Sequence, residues 1–464
     1  MSSLFYAMNI ARNTLKTQTA VLNVTAHNIA NAETPGYSRE TVKVASIADN
    51  TSRGLRSSKS LSVGSGAEAK EVARSRFALY DAIFRKENQD LNDYIKTEEL
   101  MNQVELLFDE PTERGMSSVI NDFFNGWQEV ANDPHNMAAR QSLKSLGEEL
   151  ADRFKRTYQQ LLIMREDIDR ELANIPDQIN EITGEIADLN IAIRLTESQQ
   201  SAANDLRDKR DYLVDQLSEY VDVRVVEQKD GTYTVFIGSQ VVVELDKHSD
   251  LTSVSQVARE GGEVKTVIVS KEGIEYIPEH GKMGALLKFR DNHLQSIMDQ
   301  LNVLAEAIVT SINYEHRYGY GLENTTNVNF FDPLKTKAFN IAVSAEIDDV
   351  KRIAASGDGT VGDNSNALRI NDVKIFKAVD QNFSISEYYN SMIADIGIKA
   401  REAKSGRVNE ELLTAQINNA REGIKGVDID SELIQMISTQ RIYQSAARLV
   451  TVIDSLLEEI IRMK

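Results

Sequence analysis

The sequence predicts a mainly α-helical protein with a β-rich insertion, and three observations support this fold class. Apolar residues recur every seven positions at both ends of the 464-residue chain. Only six prolines interrupt the chain, which suits long continuous helices. The apolar period changes from helical to two near residue 221. We therefore expect N- and C-terminal helices paired as an antiparallel coiled coil, a long-helix bundle domain and a small antiparallel β outer domain.

Each end of the chain carries a narrow apolar stripe. At the N-terminus one row of the repeat consists of Met8, Leu15, Leu22 and Ile29, and a second row begins with Leu4 and Ala11. At the C-terminus the apolar residues alternate four and three positions apart: Ile442, Ala446, Leu449, Ile453, Leu456, Ile460 and Met463. Such a stripe needs a partner helix to cover it. We expect each stripe to pair with the other end, with another copy of the chain, or with both, which favours an assembly protein over an enzyme.

The first helix should end near Thr34-Pro35-Gly36-Tyr37. Proline disfavours helical geometry in the residue before it, and Pro-Gly suits the central positions of a type II turn. We expect an extended strand over residues 37–45 and a loop rich in Ser, Gly and Asn over residues 49–66. Helical periodicity returns at about residue 70, with an amphipathic stretch marked by Leu91, Ile95, Val104 and Leu107.

A second amphipathic stretch and a very long helix follow. The first is marked by Met116, Ile120, Phe123, Trp127 and Val130, and it ends at the turn Asn132-Asp133-Pro134. The long helix carries a further heptad stripe: Ile168, Leu172, Ile175, Ile179, Ile182, Ile186, Leu189 and Ile193. We interpret this stripe as core rather than as an oligomer interface, and we expect a kink or a helix restart at Pro176. The next helix is expected from Asn204, as its N-cap, to Tyr220.

Residues 221–282 alternate with the period of β-strands. Asp230-Gly231 and Gly261-Gly262 divide this region and are typical hairpin turns. Helix is expected again over residues 283–316, 386–424 and 429–464, with a loop-rich segment containing short strands over 317–370. This order brings the two chain ends side by side. It predicts an inner terminal domain (1–60 and 425–464), a helical domain with short strands (61–220 and 283–424) and a small β-rich outer domain (221–282).

Composition and charge exclude several classes of protein. The net charge of -19 disfavours nucleic acid and anionic membrane surfaces as partners, because each requires a basic face. The absence of cysteine excludes disulfides, thiolate catalysis and cysteine-based zinc sites. No segment reaches the ~18 apolar residues of a membrane span, and the N-terminal sequence lacks the features of a cleaved secretory signal. We expect no membrane insertion, and either a cytosolic protein or one exported without such a peptide.

Three patterns resemble chemical motifs but have simpler interpretations. Gly357, Gly359 and Gly362 fit G-x-G-x-x-G, yet polar sequence flanks them, so a surface loop is expected. None of the six histidines has the tight spacing of a metal site, and His27 is expected to pack or hydrogen-bond at a subunit contact. Asp428 and Asp430 open a helix, where acidic residues satisfy its exposed amides and dipole. The sequence therefore predicts no catalytic, cofactor-binding or metal-binding residues.

The residues around the first helix end resemble a known family. Residues 28–39, NIANAETPGYSR, are similar to the N-terminal motif of bacterial flagellar rod, hook and hook-associated proteins, and the ending TPGYSR resembles the hook-associated members. The motif positions are Asn28, Asn31, Thr34, Pro35, Gly36, Tyr37, Ser38 and Arg39. Segments 123–134, 204–223 and 281–291 resemble internal segments of those members, and segment 425–450 resembles their closing helix. The chain departs from the family pattern at Glu33, Glu40 and Ser438-Thr439, and its middle is short.

The resemblance implies a non-catalytic structural subunit of the bacterial flagellum that joins the hook to the filament. The terminal helices would form an inner coiled coil around a central channel, with the other domains at larger radius. The implied partners are other copies of the chain, the hook protein, the next hook-associated protein or flagellin, a cytosolic export chaperone and the flagellar type III export apparatus. The implied location is the flagellum after secretion, outside the cell or in the periplasm if the flagellum is internal.

The resemblance also assigns roles to the two terminal helices. Assembly is implied for the N-terminal stripe, and assembly together with chaperone binding for the C-terminal helix. The residues concerned in the C-terminal helix are Gln440, Ile442, Tyr443, Ala446, Ala447, Leu449, Ile453, Leu456, Ile460 and Met463.

Three alternatives remain open at this point. The chain could be another axial flagellar component, such as a hook or rod subunit, although TPGYSR and segment 204–223 argue against this. It could be an unrelated coiled-coil adaptor, which would be folded and dimeric in isolation. It could also contain an enzyme within residues 221–330, although no nucleophile–base pair stands out there.

Overall fold

The computed structural model describes residues 2–47, 66–108, 115–199, 201–257, 264–360, 362–379 and 382–462. Nearly all of the predicted loop over 49–66, the turn at Gly261-Gly262 and the predicted interface residue Met463 lie outside these ranges. The described chain is predominantly helical with small antiparallel sheets, which confirms the predicted fold class in its main features. None of the described helices combines the length and the apolar character needed to cross a bilayer.

The helices and strands are numbered in chain order. The helices are α1 (Ser2–Ala30), α2 (Ala78–Phe108), α3 (Met116–Asn132), α4 (Met137–Ser198), α5 (Asn204–Tyr220), α6 (Gly281–Lys288), α7 (Gln295–Tyr318), α8 (Ser365–Asp372), α9 (Ile385–Lys425) and α10 (Ile429–Arg462). The strands are β1 (Glu40–Ser46), β2 (Ala67–Arg74), β3 (Val223–Glu227), β4 (Tyr233–Ile237), β5 (Gln240–Glu244), β6 (Lys247–His248), β7 (Leu251–Val257), β8 (Val264–Ser270) and β9 (Glu275–Tyr276). A π-helical turn (Phe289–Leu294) joins α6 to α7.

The chain divides into two compact units. Unit 1 consists of Met1–Asn88, Gln178–Asp250 and Leu412–Lys464, and unit 2 consists of Gln89–Asp177 and Leu251–Glu411. Strands β3 to β6 form a four-stranded antiparallel sheet within unit 1, and β7 to β9 form a three-stranded sheet within unit 2. The division into three domains that was drawn from the sequence stays a prediction.

Unit 1 brings the two terminal helices together. Helix α1 packs against α10 and against the antiparallel ribbon of β1 and β2. The C-terminal end of α1 meets the N-terminal end of α10, where Asn28 Nδ2 donates to Glu432 Oε2 over 3.2 Å. Asp428 precedes α10 and accepts hydrogen bonds from the Asp430 backbone N–H and the Ser431 hydroxyl, as expected for an acidic residue that opens a helix.

Several local predictions need correction. Residues 67–74 form a strand rather than the start of a helix, because they pair with β1. Asn204 is not an N-cap: it begins α5, and its Nδ2 donates to the Val72 carbonyl. Helix α4 continues through Pro176, so the predicted restart does not occur. Ile95 of the predicted stripe is 42% exposed, whereas Val104 of that stripe is buried together with Leu100 and Phe108.

The long stripe of α4 belongs to the core, as interpreted from the sequence. All but Ile182 of its eight members are at most 8% exposed. The stripe of α3 is also buried throughout, from Met116 to Val130. Burial of an apolar side chain contributes roughly 1.5–3 kcal/mol, so each of these stripes adds several such contributions to the stability of the core.

His316 lies in the aromatic core of unit 2. Its side chain is fully buried, and its ring contacts Trp127 and Phe330. Its Nε2 accepts the Ala354 backbone N–H at 3.0 Å, which leaves Nδ1 to donate to the Val328 carbonyl at 2.8 Å. Burial lowers the pKa of His316 to about 4. A proton on Nε2 would face the Ala354 N–H donor, so the fold requires neutral imidazole.

Unit 2 should therefore lose stability in mild acid. Below the unfolded-state pKa of 6.5 the unfolded chain binds a proton that folded His316 excludes. The free energy of unfolding should fall by about 2 kcal/mol between pH 7 and pH 5 at ~1.4 kcal/mol per pKa unit. Urea titration of His316→Gln should show lower stability at pH 7 and a flatter pH dependence. His135→Gln, at an exposed histidine of the same unit, should keep the wild-type slope; an unaltered slope in His316→Gln would contradict this assignment.

Candidate assembly interface

The motif turn, defined as residues 28–40, reverses the chain after α1. Asn28 is 1% exposed and holds this turn from inside. Its Nδ2 donates to the Glu40 carbonyl at 2.9 Å, and its Oδ1 accepts from the Glu40 backbone N–H at 2.9 Å and from the Tyr37 hydroxyl at 2.8 Å. Burial and the Glu40 carboxylate raise the pKa of Tyr37, so its phenol stays a neutral donor. The side-chain amide of Asn28 thus satisfies both backbone polar groups of Glu40 at the start of β1.

Gly36 is required by both backbone conformation and space. Its φ of +81° lies in the left-handed region, which favours glycine. A Cβ at this position would lie 2.8 Å from Tyr212 Cβ on α5. The Pro35-Gly36 pair therefore ends the helix and also allows α5 to approach the motif turn closely.

The end of the motif turn is attached to two distant helices. The Ser38 backbone N–H and hydroxyl both donate to the Asp208 carboxylate on α5, at 2.7 and 2.8 Å. The Arg39 Nε donates to Glu432 Oε1 on α10 at 2.6 Å, and the Arg39 backbone N–H donates to the Lys425 carbonyl at 2.7 Å. Glu432 is 1% exposed. The motif thus connects the N-terminal segment to α5 and to the C-terminal segment.

Asp208 also belongs to a closed ring of ion pairs, which we call the arginine–aspartate ring. Arg74 bridges Asp208 and Asp211, Arg85 bridges Asp211 and Asp215, Arg421 bridges Asp215 and Asp81, and Arg76 bridges Asp81 and Asp208. The eight N–O distances lie between 2.6 and 3.5 Å, and every side chain is 14% exposed or less. Four arginines and four aspartates balance in charge, which is the condition for burying so many ionised groups.

The ring follows from the spacing of residues within its elements. Asp208, Asp211 and Asp215 are three and four residues apart, so α5 presents them on one face. The partners come from the segment at the end of β2, from the first turns of α2 and from the last turns of α9. Although burial opposes ionisation, Arg76, Arg85 and Arg74 together lower the pKa of Asp211. Asp211 is therefore an ionised acceptor at neutral pH, and it also accepts the Tyr233 hydroxyl at 2.7 Å.

Helix α10 buries only one of the two rows of its apolar stripe. One row, spaced by seven residues, consists of Glu432, Thr439, Ala446 and Ile453, which are 8% exposed or less. This row ends at Ile460, which is 38% exposed. The other row consists of Ile442, Leu449 and Leu456, which are 43–45% exposed. Within the single chain, the apolar stripe of α10 is therefore half covered.

Helix α1 shows the same division. Ala11 and Thr25 of its second row are buried, whereas Leu4, Met8, Leu15, Leu22 and Ile29 are half-buried. Of the remaining residues predicted for the C-terminal helix, Gln440 and Tyr443 are exposed and Ala447 is half-buried. In the motif turn, Thr34 and Pro35 are exposed, and Asn31 Nδ2 donates to the His27 carbonyl. The roles predicted for these residues in assembly and chaperone binding stay predictions.

The described residues of the glycine pattern, 357–360 and 362, lie in a loop that carboxylates of the same segment stabilise. Asp363 Oδ2 accepts the Gly357 backbone N–H and the Ser365 hydroxyl, and Asp358 Oδ1 accepts the Thr360 backbone N–H and hydroxyl. Although burial opposes it, these hydrogen bonds lower the pKa of Asp363 to about 2. The loop follows an isolated bridge at Ser356 rather than a buried strand, which is not the strand–turn setting of a dinucleotide motif.

The residues on α5, α9 and α10 that surround the motif turn were not predicted from the sequence. Asp208, Asp211 and Asp215 were noticed only as part of a resembling segment, and Glu432 and Arg421 were not singled out. The three-and-four spacing of the aspartates was the available signal, because an acidic helix face normally remains exposed unless cations cover it. The arginine partners of these three aspartates lie 126 to 206 positions away along the chain and have no local pattern.

Three family models match consecutive parts of the chain. Residues 8–37 match "Flagella basal body rod protein", residues 101–331 match "Flagellar hook-associated protein FlgK helical domain", and residues 424–463 match "Flagellar basal body rod FlgEFG protein C-terminal". Together the matched segments make up more than half of the chain. The first contains most of α1 and the motif turn as far as Tyr37, and the third contains all of α10.

Known proteins that align with nearly the whole chain are also flagellar hook-associated proteins. The chain is 28% identical to flagellar hook-associated protein 1 of Bacillus subtilis (strain 168), over 99% of this chain and 98% of that protein. It is 25% identical to flagellar hook-associated protein 1 of Escherichia coli (strain K12), over 95% of this chain and 80% of that protein. The solved structure of the flagellar hook junction protein FlgK from Burkholderia pseudomallei matches with a TM-score of 0.66 at 17% identity, over 74% of this chain and all of that one. This last likeness concerns the fold.

Alanine substitutions at Gly36 and Gly66 should distinguish the cost of a positive φ from the cost of a steric clash with α5. Gly36→Ala combines a positive φ with a Cβ clash against Tyr212, whereas Gly66→Ala has a positive φ of +94° but contacts Ile10 at 3.6 Å, which is ordinary packing. Overpacking costs typically ~1–3 kcal/mol beyond the backbone effect. We expect Gly36→Ala to lower the free energy of unfolding by that much more than Gly66→Ala in urea titrations. Equal losses would show that α5 does not restrict the turn.

The arginine–aspartate ring should be sensitive to loss of one carboxylate. Asp211→Asn leaves Arg74, Arg76 and Arg85 short of a buried negative charge, and loss of one partner of a buried pair costs about 3–5 kcal/mol. Glu71→Gln removes the exposed Lys43–Glu71 pair of the same unit, worth about 0–1 kcal/mol. Chemical unfolding of the two variants should differ accordingly. A loss under 1 kcal/mol in Asp211→Asn would mean that the ring is not buried as described.

Proposed function

The chain belongs to the flagellar hook-associated protein family, and we propose that it is a non-catalytic structural subunit that joins the hook to the filament of the bacterial flagellum. The observation that carries this proposal is the order of the three matched segments. Rod-type segments at both ends flank a helical domain of the hook-associated type. A hook or rod subunit would share the ends but not the middle, so this alternative is not favoured.

The surface of the terminal helices supports assembly with further copies of the chain. Ile442, Leu449 and Leu456 keep close to half of their surface in water, and covering the rest would contribute roughly 1–2 kcal/mol for each residue. One such contact is small compared with the cost of association, ~4–15 kcal/mol. A helical array supplies several contacts to each subunit, so addition to an existing tip is favoured over pairing in solution. We propose that α1 and α10 form the inner coiled coil of such an array.

We propose specific partners on the same basis. The lower neighbour would be the hook protein, and the upper neighbour the next hook-associated protein or flagellin. Before assembly, a cytosolic chaperone would cover the exposed row of α10, and the type III export apparatus of the flagellum would carry the chain out of the cytosol. The absence of cysteine suits a chain that passes unfolded between compartments. The flagellum would be its final location, outside the cell or in the periplasm.

A charge placed on the uncovered row tests assembly. In cells that lack the endogenous copy, Leu449→Glu should abolish incorporation, so filaments are not retained on hooks and swimming through soft agar is lost. The reason is that a neighbouring helix would have to bury the carboxylate. Electron microscopy of cells and shed filament protein in the medium are the measurements.

The matched control places the same charge outside the stripe. Ser455 is exposed on α10 and belongs to neither row, so Ser455→Glu should assemble normally. Both purified variants should unfold like the wild type, because neither side chain is buried in the single chain. Normal filaments with Leu449→Glu would count against the stripe as the assembly surface. A second variant that lacks residues 442–464 removes the stripe altogether, and normal assembly of that variant would contradict the proposed function.

A further inference from the structure

One cluster of metal-ligating side chains lies beside the motif turn. His27 comes from the last turn of α1, Glu40 begins β1, and Asp205 lies in the first turn of α5. One ligand atom from each residue lies within 4.8 Å of the other two. The contacts are His27 Nδ1 to Glu40 Oε2 at 3.4 Å and His27 Nε2 to Asp205 Oδ2 at 3.8 Å. An imidazole with two carboxylates is a donor set that divalent transition metals favour.

Glu40 is a buried carboxylate with little compensation. Its side chain is 9% exposed, and among the described residues its carboxylate pairs with His27 alone, at the long distance of 3.4 Å. No lysine or arginine of the described chain forms an ion pair with it, in contrast to every aspartate of the arginine–aspartate ring. A buried anion requires a cation or a proton, and the motif turn leaves that requirement unmet.

The space beside the cluster is suited to an ion with bound water. His27, Glu40 and Asp205 line a cavity of about 420 Å³ together with the start of α5 and with Val72. The Tyr37 hydroxyl donates to Asn28 Oδ1 at 2.8 Å and only approaches His27 Nδ1 at 3.4 Å, so its proton is committed elsewhere. Asp205 is 66% exposed, so its side chain has room to change rotamer, and such a change would bring the ligands to the ~2.0–2.2 Å bonds of a zinc ion.

We propose that His27, Glu40 and Asp205 form a divalent transition-metal site of the zinc class, with water completing the coordination. The ion neutralises the Glu40 carboxylate and links α1, β1 and α5 at the base of the motif turn. It adds a metal-dependent connection to the hydrogen bonds of Asn28 and Ser38, which join the same elements. No metal site was predicted from the sequence, because the ligands lie 13 and 165 positions apart and match no spacing motif.

A second histidine cluster provides the matched control. His280 Nδ1 lies 2.8 Å from Asp90 Oδ1 and 4.0 Å from Asp93 Oδ2, so it also faces two carboxylates. Here Lys288 Nζ already pairs with Asp93 at 3.0 Å. Because an ammonium already compensates one of these two carboxylates, the same chemistry predicts no tight metal site at His280.

The experiment is calorimetric titration of ZnCl2 into the full-length, chelator-treated protein, with excess magnesium present to saturate non-specific carboxylates. The wild type should bind one tight equivalent, and zinc should raise its melting temperature. His27→Gln and Asp205→Asn should each weaken the tight site by at least ~10-fold and abolish the thermal shift. His280→Gln should bind within about twofold of the wild type, since metal affinity depends on the ligands and their hydrogen-bond partners. Asp205→Asn changes an exposed side chain, so it tests the site even if His27→Gln fails to fold.

Three outcomes would overturn the proposal. The first is the absence of a tight equivalent in the wild type. The second is unchanged affinity in both His27→Gln and Asp205→Asn. The third is a wild-type melting temperature that does not change with zinc but rises as the pH falls through the range in which histidine side chains gain a proton. That result would show that a protonated His27 neutralises Glu40. All three readouts concern the isolated chain, so they are independent of whether the flagellar assembly experiment succeeds.

Discussion

The arginine–aspartate ring is the interaction on which the arrangement of unit 1 depends. Each of its eight groups was removed from water at a cost of several kcal/mol, and only the alternation of four cations with four anions compensates for that cost. Such a ring tolerates little displacement, because a shift of one element would leave an uncompensated buried charge. Since α5 contributes three of the aspartates, it acts as the reference element for β2, α2 and α9. The motif turn is placed by the same helix, through Ser38 and Asp208.

This arrangement explains why segments from both ends of the chain meet at one place. Asn28 and Arg39 converge on Glu432, whose carboxylate is buried at the start of α10. Polar contacts thus set the relative position of α1 and α10 at one end, and the buried row containing Ala446 and Ile453 continues the contact along the helix. Directional hydrogen bonds specify register more sharply than apolar packing alone. The register in turn decides which row of the stripe remains available to a neighbouring subunit.

The half-covered stripe reconciles two demands on a protein that must remain soluble and later polymerise. A fully exposed stripe would associate indiscriminately, and a fully buried one would offer no contact. The net charge of -19 adds long-range repulsion between free copies. Several weak contacts made at once can overcome that repulsion, whereas one cannot. This physical balance agrees with a family whose members are structural parts of the flagellum.

The sequence by itself determined the helical and strand periods, the stripes and the turn at Pro35-Gly36, because these depend on neighbours within one or two turns. The buried residues Met116 to Val130 and the bounds of α5 were predicted for that reason. Strand β2 was not, since AEAKEVAR (67–74) lacks alternation and becomes a strand only through pairing with β1. The tertiary structure alone decided that α5 aspartates are buried, that one row of α10 is covered, and that His27, Glu40 and Asp205 meet. Charges and ligands that lie far apart in sequence leave no periodic signal, and only the packing of distant segments brings them within bonding distance.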